Sequence, residues 1–193
     1  MKKQRVIRQS TSDLELIQRS QSGDQESFRQ LVERYEGQVA ATVIGMLGYG
    51  TEAEDVGQEV FIRFFRSLAN FRGDSALGTY LTRIAINLSL NALKKRKRQQ
   101  WFSLFSSKED GPEMQLPDHG LTQDQKNTQA LVQTALQQVE PQFRTVLVLR
   151  LLEGYSTKET AKLLELPQGT VLSRLSRGQK KLKQVLLRMG ALP

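Results

Sequence analysis

Cysteine is absent from the 193 residues, and histidine occurs once, at position 119. The first absence excludes disulfides and thiolate metal sites, and with one histidine no metal cluster is expected. No apolar run approaches the roughly 20 residues that a membrane-spanning helix needs, and the N-terminus is polar, without the apolar core of a signal peptide. A cytoplasmic protein without direct membrane insertion is therefore expected. A phosphate-cradling glycine loop, a metal-ligand cluster and a nucleophile–base pairing are all missing. An enzyme is accordingly the least favoured class, with no catalytic residue and no cofactor to name. Acidic residues are missing where they matter most: neither Leu166–Pro193 nor Ser75–Lys108 contains an Asp or a Glu.

What is present is positive charge, formally +8 for the chain. Such a balance suits a nucleic acid or an anionic membrane as partner. The C-terminal acid-free run carries Arg174, Arg177, Lys180, Lys181, Lys183 and Arg188, and it follows a pattern of helix, tight turn, helix. Ser156-Thr157-Lys158-Glu159 is a capping-box sequence, so a helix should start near 157. It should end near Glu165, because Pro167 disfavours helical geometry at Leu166 and suits the first position of the next helix. On a wheel of 100° steps Val171, Leu175, Leu182 and Leu186 form one apolar stripe. Thr170, Ser173, Arg174, Arg177, Lys180 and Lys181 fall on the opposite side. Short and fork-shaped side chains early on that face suit base edges and phosphates in a major groove, while the later lysines supply charge. Gly178 borders the stripe and allows a second helix to approach closely. The bland alternative is a basic solvated face on an ordinary helical hairpin.

The N-terminal half also reads as helices. Leu14, Leu16 and Ile17 begin the pattern, Gly23-Asp24 breaks and recaps it, and Phe28, Leu31, Val32 and Tyr35 resume the helical period, continued from Val39 to Leu47. After the Gly48-Tyr49-Gly50 loop, Thr51-Glu52-Ala53-Glu54 is a second capping-box sequence. In the helix that follows, Val56, Val60, Phe61, Phe64, Phe65 and Leu68 sweep about 180°, wider than one core contact requires. Either this helix is central in its own domain, or part of the arc is a docking surface for another protein.

The acid-free run from Ser75 holds the second nucleic-acid signal. Phe71, Arg72 and Tyr80 precede or enter a helix with Leu81, Ile84, Ala85, Leu88 and Leu93, Arg83 lies within it, and the block Lys94-Lys95-Arg96-Lys97-Arg98 follows. Rings interleaved with cations suit single-stranded nucleic acid, since each base has a stacking face worth about 1–3 kcal/mol. Asn87 adds a paired donor and acceptor for a base edge. Residues 106–126 lack an apolar period and resemble a linker. The expected fold is all-α: two small helical domains joined by a flexible linker, the C-terminal one a helix-turn-helix. The boundaries are an N-terminal extension at 1–12, a first domain at 13–100, a linker at 101–128 and a second domain at 129–190.

These residues resemble the extracytoplasmic-function sigma factors of bacterial RNA polymerase, over about Asp13 to Leu187. Asp55-Val56-Gly57-Gln58-Glu59-Val60-Phe61 is similar to the family's D-x-x-Q-E-x-F polymerase-binding helix. Phe71-Arg72-Gly73-Asp74-Ser75-Ala76 with Tyr80-Leu81-Thr82-Arg83-Ile84-Ala85-Ile86-Asn87 resembles its minus-10 segment, the first string particularly that of the envelope-stress branch. Gly169-Thr170-Val171-Leu172-Ser173-Arg174-Leu175 resembles its minus-35 helix. The resemblance implies docking on core polymerase, its beta and beta-prime subunits, through Asp55, Gln58, Glu59, Phe61, Ile62 and Arg63. It implies minus-10 recognition through Phe71, Arg72, Tyr80, Arg83 and Asn87, and minus-35 recognition through Thr170, Ser173, Arg174, Arg177 and Lys181. The acidic linker residues Glu109, Asp110, Glu113, Asp118 and Asp124 would thread the polymerase's basic path. The free chain is expected to be a monomer, held inactive by an anti-sigma factor. Three departures are visible: Tyr80 replaces the usual Trp, Leu172 stands where a basic residue is common, and Trp101, Phe102 and Phe105 are unexpected for a solvated linker start and are not explained by the resemblance. The competing class is a conventional helix-turn-helix regulator that binds its operator without polymerase, though no coiled-coil heptad or ligand pocket supports it.

Overall fold

The computed structural model describes residues 11–73, 75–103 and 123–191. The expected extension up to Ser10, and Asp74, Phe105, Lys108, His119 and the linker acids Glu109, Asp110, Glu113 and Asp118, lie outside them. The side chains of Phe102 and Asp124 do too.

Among the described residues there are eight α-helices and no strand. The first four are α1 (Asp13–Gln21), α2 (Gln25–Leu47), α3 (Thr51–Ser67) and α4 (Leu77–Ser103), with a 3-10 turn at Leu68–Asn70. Gly23, at φ 95°, makes the break after α1, and the Asp24 carboxylate recaps the chain by accepting from the Glu26 and Ser27 N–H groups at 3.0 and 3.3 Å. The helix so started runs unbroken to Leu47 and forms the centre of the unit, packed by α1, α3 and α4. Leu31, Val39, Val43 and Met46 from α2 meet Val60 and Phe64 from α3 and Leu81 and Ala85 from α4, all fully buried. α3 begins where expected but without the capping box. Gly50, at φ 136°, is its N-cap, and no side chain bonds there. The glycine turn places the Gly50 carbonyl to accept from Ala53 and Glu54, so Thr51 is already the first helical residue.

The second group is α5 (Gln123–Gln137), α6 (Pro141–Leu147), α7 (Thr157–Leu164) and α8 (Gln168–Arg188). Helix therefore enters the expected linker from both ends, to Ser103 and from Gln123, because neither stretch holds a Gly or Pro to stop it. Pro141 starts α6 at its first turn, and the helix widens into a π turn over Val148–Leu152 before Gly154, at φ 73°, reverses the chain.

The Ser156–Glu159 capping box is formed reciprocally, at 3.2 and 2.8 Å. α7 ends through Glu165 in the left-handed region, with the Leu166 N–H closing back on the Ala161 carbonyl at 2.9 Å. Pro167 is the N-cap of α8, one position before the expected one. The buried line of α8 runs through Val171, Gly178 and Val185, while Leu175, Leu182 and Leu186 are half-buried at its sides. Leu147 of α6 sets that line, since a Cβ at Gly178 would lie 3.1 Å from it.

The two groups are not independent. Val148, Leu149 and Leu163 belong to the same buried cluster as the core of α1–α4. Arg144 is 4 % exposed and joins three segments. Its guanidinium donates to the Met46 carbonyl of α2, to the Gln137 carbonyl at the end of α5 and to the Val139 carbonyl just beyond it, at 2.5–2.9 Å. Burial, with a lesser push from Arg96, lowers its pKa to about 10, so it stays charged at neutral pH.

Candidate nucleic-acid interface

Helix α8 presents an open basic face. Ser173, Arg177 and Lys180 are exposed, and Thr170 and Arg174 are half-buried beside them. The Ser173 hydroxyl donates to the Thr170 carbonyl at 3.0 Å, which ties back one of the two short polar side chains. Lys181 differs from the expectation. Its Nζ lies 2.5 Å from the Glu140 carboxylate and 5.4 Å from the centre of the Phe143 ring, so it faces the start of α6. That lysine also holds the Glu140 carboxyl below its ordinary range. Leu172 is 54 % exposed, an apolar interruption of the polar face.

The aromatic segment is built as a rigid wall. Phe71 and Tyr80 meet edge to face with centres 5.0 Å apart, and both rest edge-on against Phe64, itself fully buried, at 5.9 and 6.1 Å. The Tyr80 hydroxyl lies 2.9 Å from that of Ser67, and the Gln21 amide donates to the Leu68 and Phe71 carbonyls at 2.8 and 3.2 Å. Ser67 and Gln21, absent from the sequence-based set, thus position the rings; only long-range packing reveals them. Each ring is half-exposed, so part of its surface remains open to solvent. Arg83 and Asn87 follow Tyr80 by one and two turns on the same side of α4, with Asn87 and Arg72 exposed and Arg83 half-buried. In the basic block Lys94, Lys95, Lys97 and Arg98 are exposed, whereas Arg96 pairs with Glu52 in the first turn of α3.

Helix α3 resolves the wide apolar arc into two lines. Val60 and Phe64 are fully buried, and Phe61 and Val56 are half-buried at the edge of the core. On the outer side Asp55, Gln58, Ile62 and Phe65 follow one another at helical spacing, with Ile62 44 % and Phe65 58 % exposed. Arg63 is exposed and bonds the half-buried Glu59 at 2.9 Å. Phe65, missing from the sequence-based site, is the largest apolar element of this stripe and meets the Phe28 ring at a steep angle, with centres 5.0 Å apart. The width of the arc was its only sequence signal. Among the described residues there is no cluster of metal-ligating side chains, and no helix is long and apolar enough to cross a membrane.

Comparison with known proteins matches residues 31–99 to the family described as Sigma-70 region 2 and residues 129–182 to Sigma-70, region 4. The chain is 35 % identical over 182 residues to the RNA polymerase sigma-H factor of Pseudomonas aeruginosa, covering 90 % of this chain and 93 % of that one. It is 34 % identical over 177 residues to the ECF RNA polymerase sigma-E factor of Escherichia coli K12, covering 88 % and 91 %. In fold it is similar to the sigma factor RpoE from Bartonella quintana, solved in complex with the anti-sigma factor NepR. There the TM-score is 0.67 at 22 % identity, over 83 % of this chain and 97 % of that one.

Proposed function

This chain belongs to the sigma-70 family of transcription initiation factors, in its extracytoplasmic-function branch, and from that membership and the three surfaces above we propose how its residues divide the work. As a sigma factor it binds core RNA polymerase, recognises minus-35 and minus-10 promoter elements and starts transcription. Helix α3 docks on the polymerase through Asp55, Gln58, Glu59, Phe61, Ile62 and Arg63, with Phe65 added from its exposure. The wall of Phe71 and Tyr80, with Arg72, Arg83 and Asn87, receives the opened strand. A base leaves the stack at a cost of a few kcal/mol, so a wall preformed on Phe64 lowers the ordering cost of capturing it. Thr170, Ser173, Arg174 and Arg177 read the minus-35 duplex, and Lys181 contributes charge from the rim. Transcription is a cytoplasmic task in bacteria, which supports the cytoplasm as the protein's location, and an anti-sigma factor is its expected regulator.

The observation that carries this reading is the coexistence, on one chain, of a duplex-reading helix-turn-helix and a ring-and-cation wall suited to a single strand. A regulator acting without polymerase needs only the first. The test is titration of labelled promoter DNA with and without core polymerase, followed by permanganate footprinting. Opening of the minus-10 region only when core is present is expected. Tight sequence-specific binding by the isolated chain, with no effect of core, would refute it.

A further inference from the structure

We infer that Leu172, a side chain outside the set assigned above to the minus-35 duplex, reads the 5-methyl group of one thymine in the major groove. The duplex as partner rests on the sigma reading. The choice of thymine rests on the side chains of α8.

The buried line of α8 runs through Val171, Gly178 and Val185, and the surface turned furthest from it carries Gly169, Ser173, Ser176 and Lys180, all exposed. Leu172 borders that surface, about one turn from both Gly169 and Ser176, and is 54 % exposed. Because α8 begins at Gln168, Leu172 stands in its second turn. That is the part of a recognition helix that meets base edges. The other exposed leucine of α8, Leu187 at 42 %, lies in the last turn, about 22 Å further along the axis.

Gly169 has no task inside the protein. A Cβ there would meet nothing within 4 Å, and the residue is not among the glycines with positive φ, so neither packing nor backbone conformation calls for a glycine that weakens the helix. What the missing side chain does is clear the space beside Leu172 for a surface from outside.

The neighbouring polar groups leave thymine to Leu172. Ser173 spends its single hydroxyl hydrogen on the Thr170 carbonyl at 3.0 Å, so toward a base it only accepts, which suits the amino groups of adenine or cytosine. Arg174 and Arg177, the forked donors suited to guanine, project from the opposite flank, about 160° and 140° around the helix from Leu172. A leucine offers nothing to a phosphate. In the major groove its one chemical match is the thymine methyl, the apolar mark among donors and acceptors.

The test begins with duplexes randomised over the minus-35 element, selected by the full-length chain together with core polymerase. In the selected duplex each thymine is replaced in turn by deoxyuridine, which lacks only the methyl, and affinities are compared by competition. One thymine should show a loss of about three- to fivefold, the share of a single methyl kept from water. In Leu172→Ala the same replacement should make no difference, while Leu172→Met, which keeps an apolar tip, should retain most of the loss. Leu187→Ala should behave as wild type. Alanine is a strong helix former and the site is exposed, so Leu172→Ala should melt with the wild-type chain. A selected element without thymine, or deoxyuridine duplexes that all bind as their parent does, would overturn the inference. So would a methyl-dependent loss that persists undiminished in Leu172→Ala, since another side chain would then be the reader. A loss abolished by Leu172→Ala in a chain that binds the duplex equally well without core polymerase would uphold Leu172 and refute the sigma assignment instead.

Discussion

Phe65→Ala separates the two roles open to helix α3. The residue is 58 % exposed, and a phenylalanine buries about 150–250 Å² when fully covered. Roughly 90–145 Å² thus remains for a partner, worth at most about 2–3.5 kcal/mol at ~25 cal/mol per Å². Ordering and desolvation at an interface consume part of that, so a loss of at least about tenfold in affinity for core polymerase is expected. Inside the chain the ring gives up its edge-on contact with Phe28, about 0.5–1.5 kcal/mol, or roughly 1–6 °C in Tm for a chain of this length. Titrating labelled protein against core polymerase, with thermal denaturation in parallel, reads both numbers. Phe64→Ala is the internal contrast, because that ring is fully buried and its removal should cost about 3–5 kcal/mol of stability. If Phe65→Ala bound core within twofold of wild type while melting normally, the outer stripe of α3 would not be a docking surface.

Arg144→Met should lower stability by about 3–5 kcal/mol, since it strands the Met46, Gln137 and Val139 carbonyls, and Arg144→Lys should fall between, having no fork to serve three directions. An unchanged urea midpoint would refute the staple. Burial pushes the Glu153 carboxyl above its ordinary range, partly offset by a hydrogen bond with Thr42, and its Oε1 has no partner, so the ionised form is the costly one. A folded pKa above the unfolded value means that this cost is absent in acid and grows as pH rises through the folded pKa. Glu153→Gln should therefore stabilise the chain at neutral pH, with the gain shrinking toward pH 4 in parallel denaturation curves. Arg174→Ala should cost about 1–3 kcal/mol at the minus-35 element and relax base choice there. Lys181→Ala should instead weaken all duplexes alike and slightly lower Tm, because its ammonium is engaged by Glu140 and Phe143. Mobility-shift competition with variant duplexes, alongside melting curves, distinguishes them.

The helix order, the α7 capping box, the Asp24 recap and the basic face of α8 were all legible in the sequence. Each is a local matter, decided within a turn or two by caps, glycines and apolar period. Thr51 misled because its capping-box sequence competes with Gly50, whose positive φ ends the loop one residue earlier. Pattern could not divide the α3 arc, because Phe64 and Phe65 look alike to a wheel until α2 and α4 bury one and leave the other to solvent. It could not free or commit Lys181 either, since Glu140 lies 41 residues away in the chain.

The sequence by itself determined an all-helical chain with two cationic surfaces and the motif order of a sigma factor, because charge, capping and period are written in neighbouring residues. Tertiary structure alone decided that α6 and the π turn close onto α2. That contact depends on a missing side chain at Gly45 meeting Val148, and on Arg144 reaching a carbonyl 98 residues back. Neither has a local signature, since an absent Cβ and a backbone oxygen acquire meaning only from what folding brings beside them.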